Sequence, residues 1–209
     1  MTAPAFRPLL FTSQSVQNIL DGIKTQTRRL IKGTSKKMVY YFERAFVDLG
    51  GTIFGLGPYL KVPCHHVEDN PKDERMERIY CPHGYPKDRI WVRETFQYAH
   101  EMGVCACEDS YVIYRATDPD WETTEGWKWR PAIFMPRSTS RILLEITDVR
   151  IERVQEISES DARAEGCGQG MTTNKHQFRK LWDSINKKRG NGWDKNDLVW
   201  VLTFKAVPS

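Results

Sequence analysis

The run Leu198-Val199-Trp200-Val201-Leu202-Thr203-Phe204 constrains the fold most. It is short, almost wholly apolar and rich in β-branched and aromatic residues, so it reads as a strand. Side chains alternate along a strand, which places Leu198, Trp200, Leu202 and Phe204 on one side. Other segments supply partners for it. Tyr85-Pro86-Lys87-Asp88 turns into Arg89-Ile90-Trp91-Val92-Arg93-Glu94-Thr95-Phe96, with Ile90, Trp91 and Val92 in a strand pattern. Tyr111 to Ala116 is another such run. Ser140 to Val154 is longer and carries a turn or bulge signal near Thr147-Asp148.

Helices are few and short. Val16, Ile19, Leu20 and Ile23 recur at i, i+3, i+4 and i+7, which gives one apolar helical face after Thr12-Ser13. Gly22 can take the left-handed conformation that ends this helix. The polar stretch Lys24-Thr25-Gln26-Thr27-Arg28-Arg29-Leu30 follows and is compatible with a strand. Ser158 with Asp161 forms a capping-box pattern, and Gly166 stops the helix it opens. Phe178, Leu181, Trp182 and Ile185 share the apolar face of a third helix. The expected helices span 13–21, 158–165 and 174–187. Strands with few short helices point to an α+β fold built on a β-barrel plugged by helices.

A chain of 209 residues and 24.4 kDa fits one domain carrying insertions. Insertions are expected at about 33–80 and 97–128. The first is turn-rich at Gly33 to Lys37 and Gly50 to Pro58, and densely charged from Glu68 to Arg78. The net charge of +4 is compatible with a nucleic-acid partner and does not select one. No stretch approaches the roughly 18 apolar residues of a membrane span. Met1 to Leu10 lacks the features of a signal peptide, and the five cysteines show no disulfide-framework spacing. A reducing cytoplasm is the expected location. P-loop, Rossmann and H-E-x-x-H patterns do not occur.

Gly22, Lys24, Thr27 and Arg29 fill, at its spacing, a G-x-K-x-x-T-x-R pattern that resembles the signature of the ASCH family, relatives of the PUA-like RNA-binding barrels. Asp88 to Glu94, Ile157 to Gly166 and Val199 to Phe204 follow in family order as its central strand, short second helix and final strand. Lys87 stands where the family usually has glycine. Trp129-Arg130-Pro131, Met135-Pro136-Arg137 and Leu181 to Asn186 resemble a longer phage- and prophage-associated branch, which would place the protein in a host cytoplasm. The resemblance implies one PUA-like barrel of five to six strands over 1–209, with three short helices and a large loop insertion. Small bacterial members are N4-acetylcytidine amidohydrolases that use a Lys, a Thr and a Glu. By matching position these are Lys24, Thr27 and Glu165. The implied partner is a modified nucleoside or RNA. A binding module without chemistry and a ribonuclease are the alternatives.

The chemistry is coherent without a cofactor. A threonine hydroxyl becomes a nucleophile once a base removes its proton. A lysine serves as that base when burial or neighbouring cations lower its pKa, and Arg28 and Arg29 flank Lys24. In a regular strand Lys24 and Thr27 face opposite sides, so they converge only if the chain after Gly22 is turned. Glu165, in the last turn of a helix, suits a proton shuttle or an orienting group. Arg29, Arg93, Glu94 and Trp91 are candidates for substrate or phosphate contacts. The plain alternative is a strand threonine, a solvated lysine and a surface glutamate.

Weaker signals remain. Cys64, His66, Cys81 and His83 offer zinc donors at irregular spacing, and Cys105 and Cys107 form a C-x-C pair. Lys175, Arg179, Lys180, Lys187, Lys188 and Arg189, with Trp182 and Trp193, form either a backbone-tracking basic face or the solvated side of a helix. Trp127-Lys128-Trp129-Arg130 reads as a base-stacking cluster or as core.

Overall fold

The structure is a computed structural model. It describes residues 4–31, 59–63, 76–99, 110–120, 128–168 and 170–208. In chain order the elements are β1 (Phe6–Leu10), α1 (Ser13–Leu20), β2 (Gln26–Leu30), β3 (Tyr59–Pro63), β4 (Met76–Tyr80), β5 (Arg89–Arg93), β6 (Phe96–Ala99), β7 (Tyr111–Tyr114), β8 (Leu143–Arg153), α2 (Glu159–Ala164), α3 (Asn174–Asn186) and β9 (Leu198–Val207). Short 3-10 turns fill the connections.

The main sheet has five strands in the order β1-β5-β8-β9-β2. β1 and β5 run parallel, and the remaining pairs are antiparallel. The fold class is α+β as expected, but the barrel is not closed: β1 and β2 are the two edges and do not pair. At one end Arg29 of β2 bridges them, donating from Nη2 to the Leu10 carbonyl at 2.6 Å with its guanidinium over the Phe11 ring. Phe11 N–H donates to Arg93 O, and Arg89 N–H to Ala5 O. Odd residues of β1 therefore turn their backbone groups toward β5, and Pro8 removes a donor from the free edge.

β8 is long because it serves two partners. Leu143–Glu145 pair with β5, while the whole strand pairs with β9, with a register shift between Ile146 and Asp148. The extra residue at Thr147 lets the strand bend there.

β9 is buried on both faces. Leu198, Trp200, Leu202 and Phe204 pack against Leu9, Phe11, Val16, Ile19, Ile90 and Val92. Val199 and Val201 pack on the opposite side against Ala162, Phe178, Trp182 and Trp193. α1 therefore covers one face of the sheet and α2 with α3 the other. Ile185, expected on the apolar face of α3, is exposed. The basic side of that helix is partly tied down: Lys175 Nζ donates to Gln155 O, and Arg179 pairs with Asp194 at 3.1 Å.

Both expected insertions carry paired strands, and β7 matches the strand expected from Tyr111 to Ala116. β3 pairs with β4, and β6 with β7, each as a separate two-stranded antiparallel unit. The Trp129-Arg130 segment runs beside β6 through a bridge between Phe96 and Arg130, with the Arg130 guanidinium over Tyr98. Trp127 lies outside the described residues. No described helix is long and apolar enough to cross a membrane.

Candidate functional site

Two helix ends meet at the start of β2. The α1 end is a Schellman turn: Gly22, at φ +71°, donates to Ile19 O, and Ile23 N–H donates to Asn18 O. The α2 end repeats it. Gly166, at φ +91°, donates to Arg163 O, and Cys167 N–H donates to Ala162 O. In both places a side chain would strain the left-handed backbone, which is why each helix stops at a glycine.

These ends satisfy one another. The last carbonyls of α2 have no partners within the helix. Thr25 N–H donates to Ala164 O at 2.9 Å, Lys24 Nζ to Glu165 O at 2.8 Å, and Asn18 Nδ2 to Gly166 O at 3.0 Å. Lys24 Nζ also lies 2.6 Å from Glu165 Oε2. The lysine thus binds both the carboxylate and the negative end of the helix. Because β2 begins only at Gln26, Lys24 is freed from strand alternation by the turn at Gly22.

Lys24, Thr27, Arg28 and Glu165 are all buried, at 4%, 5%, 5% and 5% exposure. Thr27 stands opposite Leu202 and Arg29 opposite Trp200, so both side chains share the α1 face of the sheet. Arg28, opposite Val201, takes the other face over the Phe178 ring. Burial pulls the Lys24 ammonium below the ordinary lysine range, against the opposing charge of Glu165. Burial also lowers Arg29, again against Glu165. The charge of Arg29 acts on Lys24 as well, so Lys24, Arg29 and Glu165 form one electrostatic group along the segment that carries Thr27.

Behind Glu165 lies a polar cluster that sequence reading missed. Arg28 reaches Glu165 Oε1 at 3.4 Å, Gln26 Oε1 at 2.7 Å, Glu152 Oε2 at 2.8 Å and Asp161 Oδ2 at 3.4 Å. Arg150 completes it through Glu152 and through Asp161 at 3.1 Å. Asp161 thus faces arginines, while the Ser158 hydroxyl accepts the Asp161 N–H as the helix cap. The readable signal was the alternation of β2 itself, which puts Gln26 and Arg28 on one face together.

The remaining candidates lie elsewhere on the sheet. Glu94 is buried, with both carboxylate oxygens taken by Arg141 at 3.0 Å each, and the Arg141 guanidinium stacks on Tyr114. Arg93 lies over the Trp91 ring and donates to Ile133 O. Leu10, which accepts from Arg29, is in register with Arg93, so Arg29 and Arg93 flank the same corner of the sheet. Cys81 is a buried free thiol raised by burial, and His83 is half-buried. Cys64, His66, Cys105 and Cys107 lie outside the described residues. Among the described residues no group of three or more His, Cys, Asp or Glu could hold a metal.

Cys167 adjoins the Lys24–Glu165 pair. Burial, reinforced by the Glu165 charge, pushes its thiol up to about 11. A thiol of that kind is protonated and inert. Cys167 is therefore expected to resist iodoacetamide in the native protein at about pH 8 and to react once unfolded. Site-resolved mass spectrometry after alkylation checks this, and rapid native labelling of Cys167 would contradict it.

The fold and site define an open α+β sheet with a buried Lys–Glu pair where two helix ends meet. No protein-family model matches the chain, and no curated protein matches it. Among solved structures the chain is similar to an ASCH domain from Lactobacillus crispatus, with 12% identity and a TM-score of 0.39 over 97% of this chain and 79% of that one. It is also similar to a protein from Enterococcus faecalis of the DUF984 family, with 10% identity and a TM-score of 0.38 over 99% and 78%.

Proposed function

We propose that the protein is an amidohydrolase that removes the acyl group from a modified nucleoside such as N4-acetylcytidine. The observation that carries this reading is the buried Lys24–Glu165 contact at 2.6 Å, adjoining a segment that presents the buried Thr27 and the half-buried Arg29 on one face. An ammonium lowered by burial and held against a carboxylate can pass its proton to Glu165 and act as a neutral amine.

Thr27 Oγ attacks the acyl carbon while its proton moves to the Lys24 amine. The carbonyl electron pair becomes an oxyanion. Arg29 suits its stabilisation, because its Nε–H is buried and makes no hydrogen bond among the described residues. Collapse breaks the C–N bond, and Lys24 returns the proton to the departing nucleoside amine. Water then attacks the Thr27 ester, giving its proton to the Lys24–Glu165 pair. The carboxylic acid leaves, and Thr27 recovers its hydroxyl.

The test is to trap the ester. Acid quenching during turnover of N4-acetylcytidine should yield a fraction of protein heavier by one acetyl group, mapped to Thr27 and absent from Thr27→Ala. Conversion to cytidine with no adduct under any quench time, and undiminished in Thr27→Ala, would remove Thr27 as nucleophile.

A second reading, binding of RNA or a modified base without chemistry, is favoured by the arginines on the outer face of β1 and β5. Arg89 and Arg137 stack on Phe6, and Arg93 on Trp91. RNA affinity that falls steeply with salt and ignores Thr27→Ala would distinguish it.

A further inference from the structure

Asn18 has no part in the chemistry above, yet it touches both halves of the site. Its backbone oxygen accepts from Ile23 N–H at 2.9 Å and from Lys24 N–H at 2.8 Å, so it shapes the turn that delivers the lysine. Its side chain crosses to the other helix, where Nδ2 donates to Gly166 O at 3.0 Å. Gln14 Nε2 donates to Asn18 Oδ1 at 3.0 Å and fixes which way the amide points. Asn18 is buried on α1, a place where an asparagine is poorly suited both to helix and to core. Its partners explain why it stands there.

The fit is tight from the other side as well. A Cβ on Gly166 would lie 2.4 Å from Asn18 Nδ2, at a backbone position where φ is already +91°. Glycine at 166 therefore answers two demands, the left-handed turn and the approach of Asn18. Glu165 is the residue before this glycine, and Lys24 follows the matching turn on α1. A shift between the two helix ends separates the ammonium from the carboxylate.

We propose that Asn18 is a positioning residue: it locks the ends of α1 and α2 in the one register at which Lys24 meets Glu165. This rests on the amidohydrolase reading for its catalytic consequence, but the register itself has a readout that needs no substrate. The charged and titratable groups acting on Lys24 are Glu165, Arg29 and Cys167, and Arg28 faces Glu165 from β2.

The experiment compares wild type, Asn18→Ala and Asn18→Asp. The Lys24 Nζ is followed by NMR in lysine-labelled protein, with its signal assigned through Lys24→Arg, and kcat and KM are measured on N4-acetylcytidine. Asn18→Asp keeps the shape of the side chain but replaces the donor with an acceptor facing Gly166 O; because its new charge raises Lys24 by itself, the titration of Asn18→Ala decides the register. In both variants the Lys24 titration should move up toward the ordinary lysine range as water reaches the junction. kcat should fall roughly 10- to 100-fold, the scale of a displaced reacting group, with KM nearly unchanged. Gly166→Ala should do less harm in the Asn18→Ala background than in wild type, because the close approach is gone. Folded Asn18 variants with unchanged Lys24 titration would overturn the proposal, as would additive effects of Asn18→Ala and Gly166→Ala on that titration. Should wild type hydrolyse nothing, the functional reading fails alone, and the titration still decides the role of Asn18.

Discussion

Arg28→Ala is expected to lower the unfolding free energy by about 3–5 kcal/mol, the usual result of removing one partner from a buried charge cluster. The Arg28 side chain is fully buried and holds Glu165, Glu152 and Asp161 together across β2, β8 and α2. Without it Glu152 and Asp161 keep Arg150, but Glu165 keeps only Lys24. The Phe178 ring also loses the guanidinium over it. Urea unfolding gives the number, and a loss below about 1 kcal/mol would mean the cluster is solvated in solution. The acid limb should change too. Burial acts to raise Asp161, but Arg150 and then Arg28 outweigh it and hold the carboxyl below its ordinary range. A depressed carboxyl contributes stability that is present above its unfolded value and is lost as pH falls through the folded value. In Arg28→Ala that loss should be shallower and be complete nearer the ordinary carboxylate range.

The second large effect concerns Lys24, where two substitutions separate chemistry from structure. Lys24→Met should reduce kcat/KM on N4-acetylcytidine by about 10²- to 10⁴-fold, the contribution of a positioned base. It should also destabilise, since the Glu165 carboxylate and the Glu165 backbone carbonyl lose their donor. Lys24→Arg keeps a positive donor facing Glu165 but cannot give up its proton near neutral pH. It should therefore be as inactive as Lys24→Met while recovering part of the stability. An active Lys24→Arg enzyme would show that the residue at 24 holds charge and does not move protons.

Several of these features were legible in the sequence for local reasons. Thr12, Ser158, Gly22 and Gly166 mark helix ends through hydrogen bonds and φ requirements that involve only their neighbours. The bulge signal at Thr147-Asp148 appears where β8 changes register. Lys24 and Glu165 come from two ordered motifs, and the turn at Gly22 frees Lys24 from strand alternation so that it reaches Glu165.

Other features depend on partners far along the chain. β1 has only five residues, one of them Pro8, and its strand character comes from parallel pairing with β5. Nothing local announces that pairing, nor that the sheet stays open at the β1–β2 seam. Glu94 is buried because Arg141, in a different segment, takes both its oxygens. The burial of Val199 and Val201 depends on α2 and α3, which cover the second face of β9. The pair β3–β4 arises inside a stretch whose turn and charge composition suggested a loop, whereas β7 falls on the strand expected from Tyr111 to Ala116.

The most direct test of the central claim is turnover itself. Purified protein is incubated with N4-acetylcytidine, and conversion to cytidine is followed by chromatography beside Thr27→Ala. The account predicts conversion by the wild type and its loss in a variant that remains folded. No conversion by a folded wild-type protein, or equal conversion by Thr27→Ala, would contradict it.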